Sequence, residues 1–282
     1  MKLPAGLAKM LARVVRPFKG AGSESASESI KFEGDYGTWS EAQRASTGYD
    51  AKDILERTLA AALKVKNGEA AFERDTVLFP EIEYSFPLLA ALLLAAMAEK
   101  RLSVLDFGGA LGSSYFQNRH VLRSVTDFNW GVVEQGEVAA CGQRHIAEGP
   151  LQFYTDAEDC FREISPNFIL LSGVLSYLPD PLGLLRKLAT HGPSFICLDR
   201  TLVAMQGATR LTVQVVPSNI YAASYPCWIF REGELLEPLA DTYRRLYAFD
   251  ALGGSVHLRG LTGAFKGYLF ARTDAAAALG VA

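Results

Sequence analysis

Five short, largely apolar runs recur from residue 102 onward, and a polar residue lies at or near the end of each. They are residues 102–107, 130–133, 151–154, 168–171 and 195–198. Runs of this length without strict alternation are typical of strands buried on both faces, as in parallel sheets. The segments between them are long enough for helices. The pattern therefore predicts βαβ units and an α/β, Rossmann-like fold with a mostly parallel sheet.

The first run leads directly into a glycine-dense turn. Asp106 is followed by a hydrophobic residue, by Gly108, Gly109 and Ala110, and after one more residue by Gly112. Glycine permits positive φ and lets the backbone approach a ligand closely. Two serines then suit a helix N-terminus, where free N–H groups favour electron-rich ligand groups. The spacing predicts that Asp106 and the four turn residues Gly108, Gly109, Ala110 and Gly112 bind a nucleoside cofactor. A purely structural strand-to-helix turn is the alternative.

Polar residues follow the other strands at the same end. Glu134 lies 22 residues beyond the last glycine of the turn, where nucleoside-binding folds place a carboxylate that accepts hydrogen bonds from ribose hydroxyls. Asp156, Ser172 and Asp199 follow the next three runs. Because the carboxyl ends of parallel strands share one edge of the sheet, we expect these side chains and Asp106 to line one crevice.

Composition narrows the class of protein. The chain has 282 residues, of which 49% are hydrophobic, and a formal net charge of −3. It can bury a substantial core, and its charge gives no reason to expect a nucleic-acid partner. The four cysteines are widely spaced and form no C-x-x-C pair. We therefore predict reduced thiols in a cytoplasmic protein, without a metal site or a disulfide framework.

The N-terminus departs from this balanced charge. Residues 1–19 combine five basic residues with apolar residues at helical spacing, which predicts a basic amphipathic helix. Residues 20–29, rich in Gly, Ser and Ala, predict a flexible linker. Two interpretations of the helix are open: peripheral contact with the inner face of an anionic membrane, and docking on its own protein. The apolar run 86–98 has 13 residues, too few for the roughly 20 of a membrane span, and predicts a buried helix.

Longer motifs carry a more specific resemblance. They are FEGDY at 32–36, WSEA at 39–42, GYD at 48–50, GEA at 68–70, ERDTVLF at 73–79, EYSFP at 83–87, VLDFGGALGSSYF at 104–116, LSGVLSYLPDP at 171–181 and YPCW at 225–228. Over residues 31–272, the chain resembles a family of bacterial class I methyltransferases that depend on S-adenosylmethionine (SAM) and are associated with surface-polysaccharide gene clusters. The resemblance implies SAM as methyl donor and leaves the acceptor unspecified.

The resemblance also implies an organisation of the chain. It divides the matched part into a helical lid region, at 31–98 in our division of the chain, and a SAM-binding core at 99–282. The basic helix and the linker at 1–30 lie outside the match and are predicted from the residues alone. An acceptor-site insertion is expected at about 201–241. The last runs, Tyr243–Phe249 and Lys266–Arg272, would form the antiparallel hairpin that completes a seven-stranded sheet.

Two further cofactor contacts follow from the resemblance alone. In class I methyltransferases an acidic residue after the third strand contacts the adenine amino group. Asp156 occupies that position, and Glu158 and Asp159 in the same loop are alternatives. An ordinary surface-loop acid without a cofactor contact is the other interpretation of Asp156. The end of the fourth strand and its loop border the transferred methyl group, which implicates Ser172.

The acceptor site is predicted to draw on Tyr177, Arg200, Tyr225 and Trp228. Tyrosine and tryptophan combine a flat apolar face with one polar tip, which suits a sugar ring or an aromatic acceptor. Ordinary packing is the alternative for each of these aromatic residues. The guanidinium of Arg200 is suited to an acceptor phosphate or carboxylate.

Methyl transfer makes modest demands on the protein, which mainly aligns the acceptor and excludes water. A hydroxyl acceptor would benefit from a general base. His257, in a glycine-rich segment, and Asp199, at a predicted strand tip, are the two candidates. A surface-loop histidine without a catalytic role is the alternative for His257. Glu73, Arg74 and Asp75 are candidates for a charged lid over the pocket.

Three functions remain open at this point. The preferred one is SAM-dependent methyl transfer to a small-molecule or carbohydrate-like acceptor. The second is a nicotinamide-dependent, sugar-modifying oxidoreductase. It is disfavoured by the spacing from Asp106 to Gly112 and by the lack of a Tyr-x-x-x-Lys pair after the fourth run, where Pro181 stands four residues after Tyr177. The third is a non-catalytic, methyltransferase-like binding or regulatory subunit.

Overall fold

The computed structural model describes residues 30–48, 51–74, 76–216, 223–258 and 260–281. The predicted N-terminal helix and linker over residues 1–29 lie outside these ranges. So do Tyr49 and Asp50 of the GYD motif and the candidate lid residue Asp75.

The described ranges alternate strands and helices from β4 to β8, as the βαβ pattern predicts. The strands are β1 (Lys31–Glu33), β2 (Phe72–Arg74), β3 (Val77–Phe79), β4 (Leu102–Phe107), β5 (Phe128–Val133), β6 (Leu151–Tyr154), β7 (Phe168–Ser172), β8 (Phe195–Ala204), β9 (Arg210–Val216), β10 (Ala223–Arg231), β11 (Tyr243–Leu258) and β12 (Leu261–Arg272). The helices are α1 (Trp39–Arg44), α2 (Ala51–Lys66), α3 (Phe86–Glu99), α4 (Ser113–Leu122), α5 (Gly136–His145), α6 (Ala157–Ile164), α7 (Pro181–Thr190), α8 (Glu232–Leu236) and α9 (Thr273–Ala278).

Seven strands form the central sheet in the order β6–β5–β4–β7–β8–β12–β11. The first five are parallel to one another, and β12 runs antiparallel to both β8 and β11. This arrangement confirms the predicted Rossmann-like class I methyltransferase fold. The strand order reverses between β4 and β7, and such a switch point opens a crevice at the carboxyl ends of the strands.

Alternate residues of the parallel strands enter two different hydrophobic layers. Leu105, Ile169 and Ile196 belong to the cluster on one face, whereas Val104 and Phe168 belong to the cluster on the other. Successive strand residues point to opposite faces, so each strand is buried twice. This double burial explains why the runs read as almost continuously apolar in the sequence.

β8 is longer than its sequence pattern predicts. The apolar run ends at Leu198, but the strand continues to Ala204 because its second half gains new neighbours. Lys266 to Gly263 of β12 pair with Thr201 to Ala204 on one side, and Phe230 of β10 pairs with Val203 on the other. Asp199 is therefore inside a strand rather than at its tip, which corrects the prediction. It is still level with Ser172 at the end of β7.

The insertion expected at 201–241 builds additional sheet. β9 and β10 pair antiparallel, and β1 from the N-terminal region adds antiparallel to β9. This three-stranded extension joins the main sheet through β10 and β8. The N-terminal region and the insertion therefore combine at the carboxyl edge of the main sheet.

Helices in the described ranges are all shorter than a membrane span. The most apolar of them, α3, is a 14-residue helix, and a bilayer crossing needs about 20 residues. Among the described residues, no helix is long and apolar enough to cross a membrane.

All four cysteines carry free thiols, and three of them are buried: Cys160, Cys197 and Cys227. Burial raises the pKa of these three thiols above the ordinary value, which suppresses the reactive thiolate. We expect a thiol reagent at pH 8 to modify the partly exposed Cys141 first and the others only on unfolding. Mass spectrometry of the labelled protein measures this. Rapid labelling of Cys141→Ser in its folded state would contradict the packing described here.

Candidate functional site

The glycine turn between β4 and α4 contains two residues in the left-handed backbone conformation, which residues other than glycine adopt at a cost. Gly108 has φ 72° and Gly112 has φ 87°. The Gly108 N–H donates to Val133 O over 2.9 Å, which ties the turn to the end of β5. A Cβ on Gly109 would lie 2.5 Å from the Asp106 carboxyl carbon, so the turn passes directly over that carboxylate. The structure therefore brings the predicted turn residues together around Asp106.

Asp106 itself is buried, with 1% of its surface exposed. Its Oδ2 accepts a hydrogen bond from Nε1 of Trp130 at 3.3 Å. Trp130 was predicted only as a strand residue. Its contact with Asp106 arises because β5 lies beside β4, and no sequence signal identifies that neighbour.

Glu134 joins the same turn from the end of β5. Its Oε1 accepts from Ala110 N at 3.1 Å and its Oε2 accepts from Gln135 N at 3.0 Å. The residue is fully buried. Two backbone donors fix the orientation of this carboxylate, which offers about four acceptor positions in all. The predicted ribose-binding residue thus lies at the turn, as the sequence spacing requires.

A third carboxylate reaches the turn from the N-terminal region. Glu73 on β2 is 2% exposed and accepts from Thr76 N at 3.2 Å and from the Ser113 hydroxyl at the start of α4. The β2–β3 hairpin therefore packs on the glycine turn. Arg74, the next candidate lid residue, instead pairs with Glu83 at 2.9 Å.

Asp156 lies at the end of β6 and caps α6. Its Oδ1 accepts from Glu158 N at 3.0 Å, the usual role of an aspartate before a helix. The alternative residues have other partners: Glu158 Oε1 lies 3.5 Å from Lys187 Nζ and Asp159 Oδ1 lies 2.6 Å from Arg162 Nη2. Of the three loop acids, Asp156 remains the one nearest the strand end.

Ser172, Asp199 and Arg200 form a polar cluster where β7 ends. The Ser172 hydroxyl donates to Asp199 Oδ2 at 2.6 Å, and Arg200 Nε donates to Ser172 Oγ at 3.2 Å. Arg200 Nε also lies 3.7 Å from Asp199 Oδ2. Arg200 has φ 49°, a left-handed conformation that is unusual within a strand and is found at functional sites more often than elsewhere.

Two of the predicted acceptor residues belong to a buried network. The Tyr177 hydroxyl donates to Gln214 Oε1 at 3.0 Å, and Gln214 Nε2 donates to the Tyr225 oxygen at 3.0 Å. The two rings meet edge to face with centroids 5.6 Å apart. All three residues are buried. These contacts favour the packing role that the sequence left open for both tyrosines.

Trp228 has a similar environment. Its Nε1 donates to Leu178 O at 3.0 Å, and its ring stacks on Trp39 with centroids 6.4 Å apart. The indole therefore connects β10 to the loop after β7 and to α1. Its polar tip is bonded within the protein.

The structure does not bring His257 to this cluster. His257 is exposed and pairs with Thr262 near the end of the β11–β12 hairpin. Thr262 is one residue beyond the Gly263–Ala204 pair. Ala204 is five positions along β8 from Asp199, or roughly 17 Å at about 3.3 Å per residue. The hairpin extends beyond the β8 pairing, which separates the two candidate bases; Asp199 alone lies at the crevice.

Comparisons with known proteins give weak similarities. No family model and no curated protein matches the chain. The N-terminal domain of EvdMO1, solved with S-adenosylhomocysteine (SAH) and D-fucose, is 14% identical, with 79% of this chain and 97% of that chain covered and a TM-score of 0.44. CalS10, an amino pentose methyltransferase from Micromonospora echinaspora, is 11% identical, with 68% and 92% covered and a TM-score of 0.43. The 1,6-didemethyltoxoflavin-N1-methyltransferase of Burkholderia thailandensis is 15% identical, with 89% and 97% covered and a TM-score of 0.38. The class I methyltransferase fold is identified by the order and the directions of the strands in the central sheet.

Proposed function

We propose that this chain is a SAM-dependent methyltransferase that acts on a small-molecule or carbohydrate-like acceptor. The observation that carries the proposal is the set of three buried carboxylates around one glycine turn: Glu73, Asp106 and Glu134. Each contacts or underlies a residue between Gly109 and Ser113. A turn of this kind at a switch point is suited to a nucleoside cofactor.

The charge of the turn distinguishes between cofactors. Dinucleotide-binding folds place a pyrophosphate at the N-terminus of the helix after the turn. Here the Glu73 carboxylate accepts a hydrogen bond from Ser113 at that helix N-terminus. A pyrophosphate bound at the same place would lie close to this carboxylate, and the two negative charges would repel each other. SAM carries a sulfonium cation, which buried carboxylates favour. The electrostatics thus support SAM over NAD.

The residues present fit SAM as a ligand. Glu134 would accept from the ribose hydroxyls, Asp156 would accept from the adenine amino group, and the backbone of Gly108–Gly112 would face the rest of the molecule. When bound, SAM supplies a methyl group already activated by the sulfonium. Ser172 and Asp199 lie next to this position along the sheet edge, where an acceptor would be oriented and water excluded.

The biological setting belongs to the same proposal. The motif resemblance over residues 31–272 supports an acceptor from bacterial surface-polysaccharide synthesis. The four free thiols support a cytoplasmic location. The proposal also includes a peripheral membrane contact through residues 1–19, which lie outside the described ranges.

Calorimetric titration with SAH, NAD and NADP in parallel tests the cofactor. We expect saturable binding of SAH alone. Glu134→Gln should weaken it at least tenfold, since a neutral amide accepts ribose hydroxyls less strongly than a carboxylate. Glu237→Gln, which alters an exposed carboxylate paired with Arg186, is the matched control and should bind as wild type.

The other outcomes have direct meanings. A signal with NAD or NADP and none with SAH would replace the proposal by the oxidoreductase function. Silence with all three ligands would support a non-catalytic, methyltransferase-like subunit.

A further inference from the structure

We propose that Arg200 and Asp199 form an acceptor subsite for a compound that carries an anionic group next to a hydroxyl, such as a sugar acid or a sugar phosphate. The inference rests on the proposed methyltransferase function, because it names the class of acceptor for that site. It is carried by the hydrogen-bonding state of the two side chains.

The guanidinium of Arg200 is anchored at one end only. Its Nε bonds to Ser172 Oγ and lies near Asp199. The two terminal nitrogens make no hydrogen bond to any described residue, and neither of them is fully buried. The side chain is 18% exposed. An arginine held in this way presents its terminal N–H groups as a fork, the geometry that binds carboxylate or phosphate.

Asp199 supplies an acceptor beside this fork. The residue is 3% exposed. Its Oδ2 receives the Ser172 hydroxyl at 2.6 Å, whereas its Oδ1 is buried and has no hydrogen-bond partner within the part of the chain that the structure describes. Leaving a buried carboxylate oxygen without a hydrogen bond costs free energy. A hydroxyl of the acceptor would satisfy it.

Backbone geometry holds the two functions side by side. Arg200 has φ 49° at the point where β12 shifts register between Lys266 and Tyr268. The main-chain oxygen of Asp199 also accepts from Gly173 N at 2.7 Å, which ties β8 to the loop after β7. The left-handed residue breaks the alternation of the strand, so that Asp199 and Arg200 both reach Ser172.

The other predicted acceptor residues contrast with this pair. The polar atoms of Tyr177, Tyr225 and Trp228 are bonded within the protein. Arg200 is the member of that predicted set whose donors are accessible. We therefore assign recognition of the acceptor to charge and hydrogen bonding at the edge of β7 and β8 rather than to aromatic stacking.

Calorimetry on the full-length protein saturated with SAH tests this subsite. The probes are D-glucuronate, D-glucose 1-phosphate and uncharged D-glucose. We expect one of the anions to bind wild type and D-glucose to give no signal, and the anion that binds distinguishes a carboxylate from a phosphate acceptor. Arg200→Gln should weaken that binding at least tenfold, with Arg200→Lys intermediate because it keeps the charge and loses the fork.

Two further variants separate this idea from simpler explanations. Asp199→Asn should also weaken binding of the anion, whereas Arg186→Gln, an exposed arginine paired with Glu237, should leave it unchanged. SAH affinity should stay within about twofold in Arg200→Gln. If SAH binds wild type but neither anion does, or if Arg200→Gln binds the anion as well as wild type, the subsite is overturned and the cofactor assignment stands. If SAH does not bind, it is the proposed function that fails.

Discussion

Replacing Gly109 with alanine is expected to weaken SAH binding at least 100-fold, about 2.8 kcal/mol of binding free energy. The new Cβ would lie 2.5 Å from both the carboxyl carbon and Oδ2 of Asp106. Asp106 is buried and held by Trp130, so its short side chain has little freedom to move away. The turn backbone must shift instead, and the cofactor surface shifts with it. Calorimetric titration of the purified variant measures the loss.

A second glycine provides the matched control for this substitution. Gly136 is the first residue of α5, and a Cβ there would meet nothing within 4 Å. Gly136→Ala should keep wild-type affinity and gain slightly in stability, because alanine is the better helix former. Circular dichroism establishes that both variants are folded. Wild-type affinity in folded Gly109→Ala would contradict the close approach of the turn to Asp106.

Replacing Gln214 with leucine is expected to destabilise the protein by about 2–6 kcal/mol, at roughly 1–3 kcal/mol for each of the two buried hydroxyls that lose a partner. Gln214 accepts from Tyr177 and donates to Tyr225 across the contact between β9, β10 and the loop after β7. Leucine has nearly the same volume, so the change removes hydrogen bonds without a large cavity. Urea denaturation, monitored by tryptophan fluorescence, measures the free energy of unfolding.

The triple variant Tyr177→Phe, Gln214→Leu, Tyr225→Phe isolates the cause. Removing both partners of a buried hydrogen bond together is often nearly neutral, so the triple variant should recover at least half of the stability lost by Gln214→Leu. A single variant within 0.5 kcal/mol of wild type would show that the amide is not needed. That result would favour the acceptor-binding role that the sequence predicts for Tyr177 and Tyr225 over the packing role.

Most of the parallel core was predictable because its strands are buried on both faces. The runs at 102–107 and 151–154 coincide with β4 and β6, and double burial makes such segments apolar at nearly every position. The glycine turn was predictable for a different reason. Positive φ at Gly108 and Gly112 restricts the residue type, so the conformation leaves a local trace in the sequence.

The later strands were less predictable because they take their length from their neighbours. β8 continues past Asp199 only where β10 and β12 supply hydrogen-bonding partners. The sequence after Leu198 contains an aspartate and an arginine, which suggest an end. Pairing across the sheet overrides this local signal, and it moves His257 to the end of a hairpin instead of the site.

The sequence by itself determined the α/β class, the glycine turn with Asp106 and Glu134, and the shared edge on which the strand-end residues meet. These features depend on periodicity, on glycine conformation and on spacing along the chain. The tertiary structure alone decided that Glu73 and Trp130 reach the turn, that Gln214 joins Tyr177 to Tyr225, and that Arg200 keeps its terminal donors accessible beside Asp199. Each of these contacts joins segments far apart in the chain or depends on a strand's partners, and such contacts leave no local pattern to read.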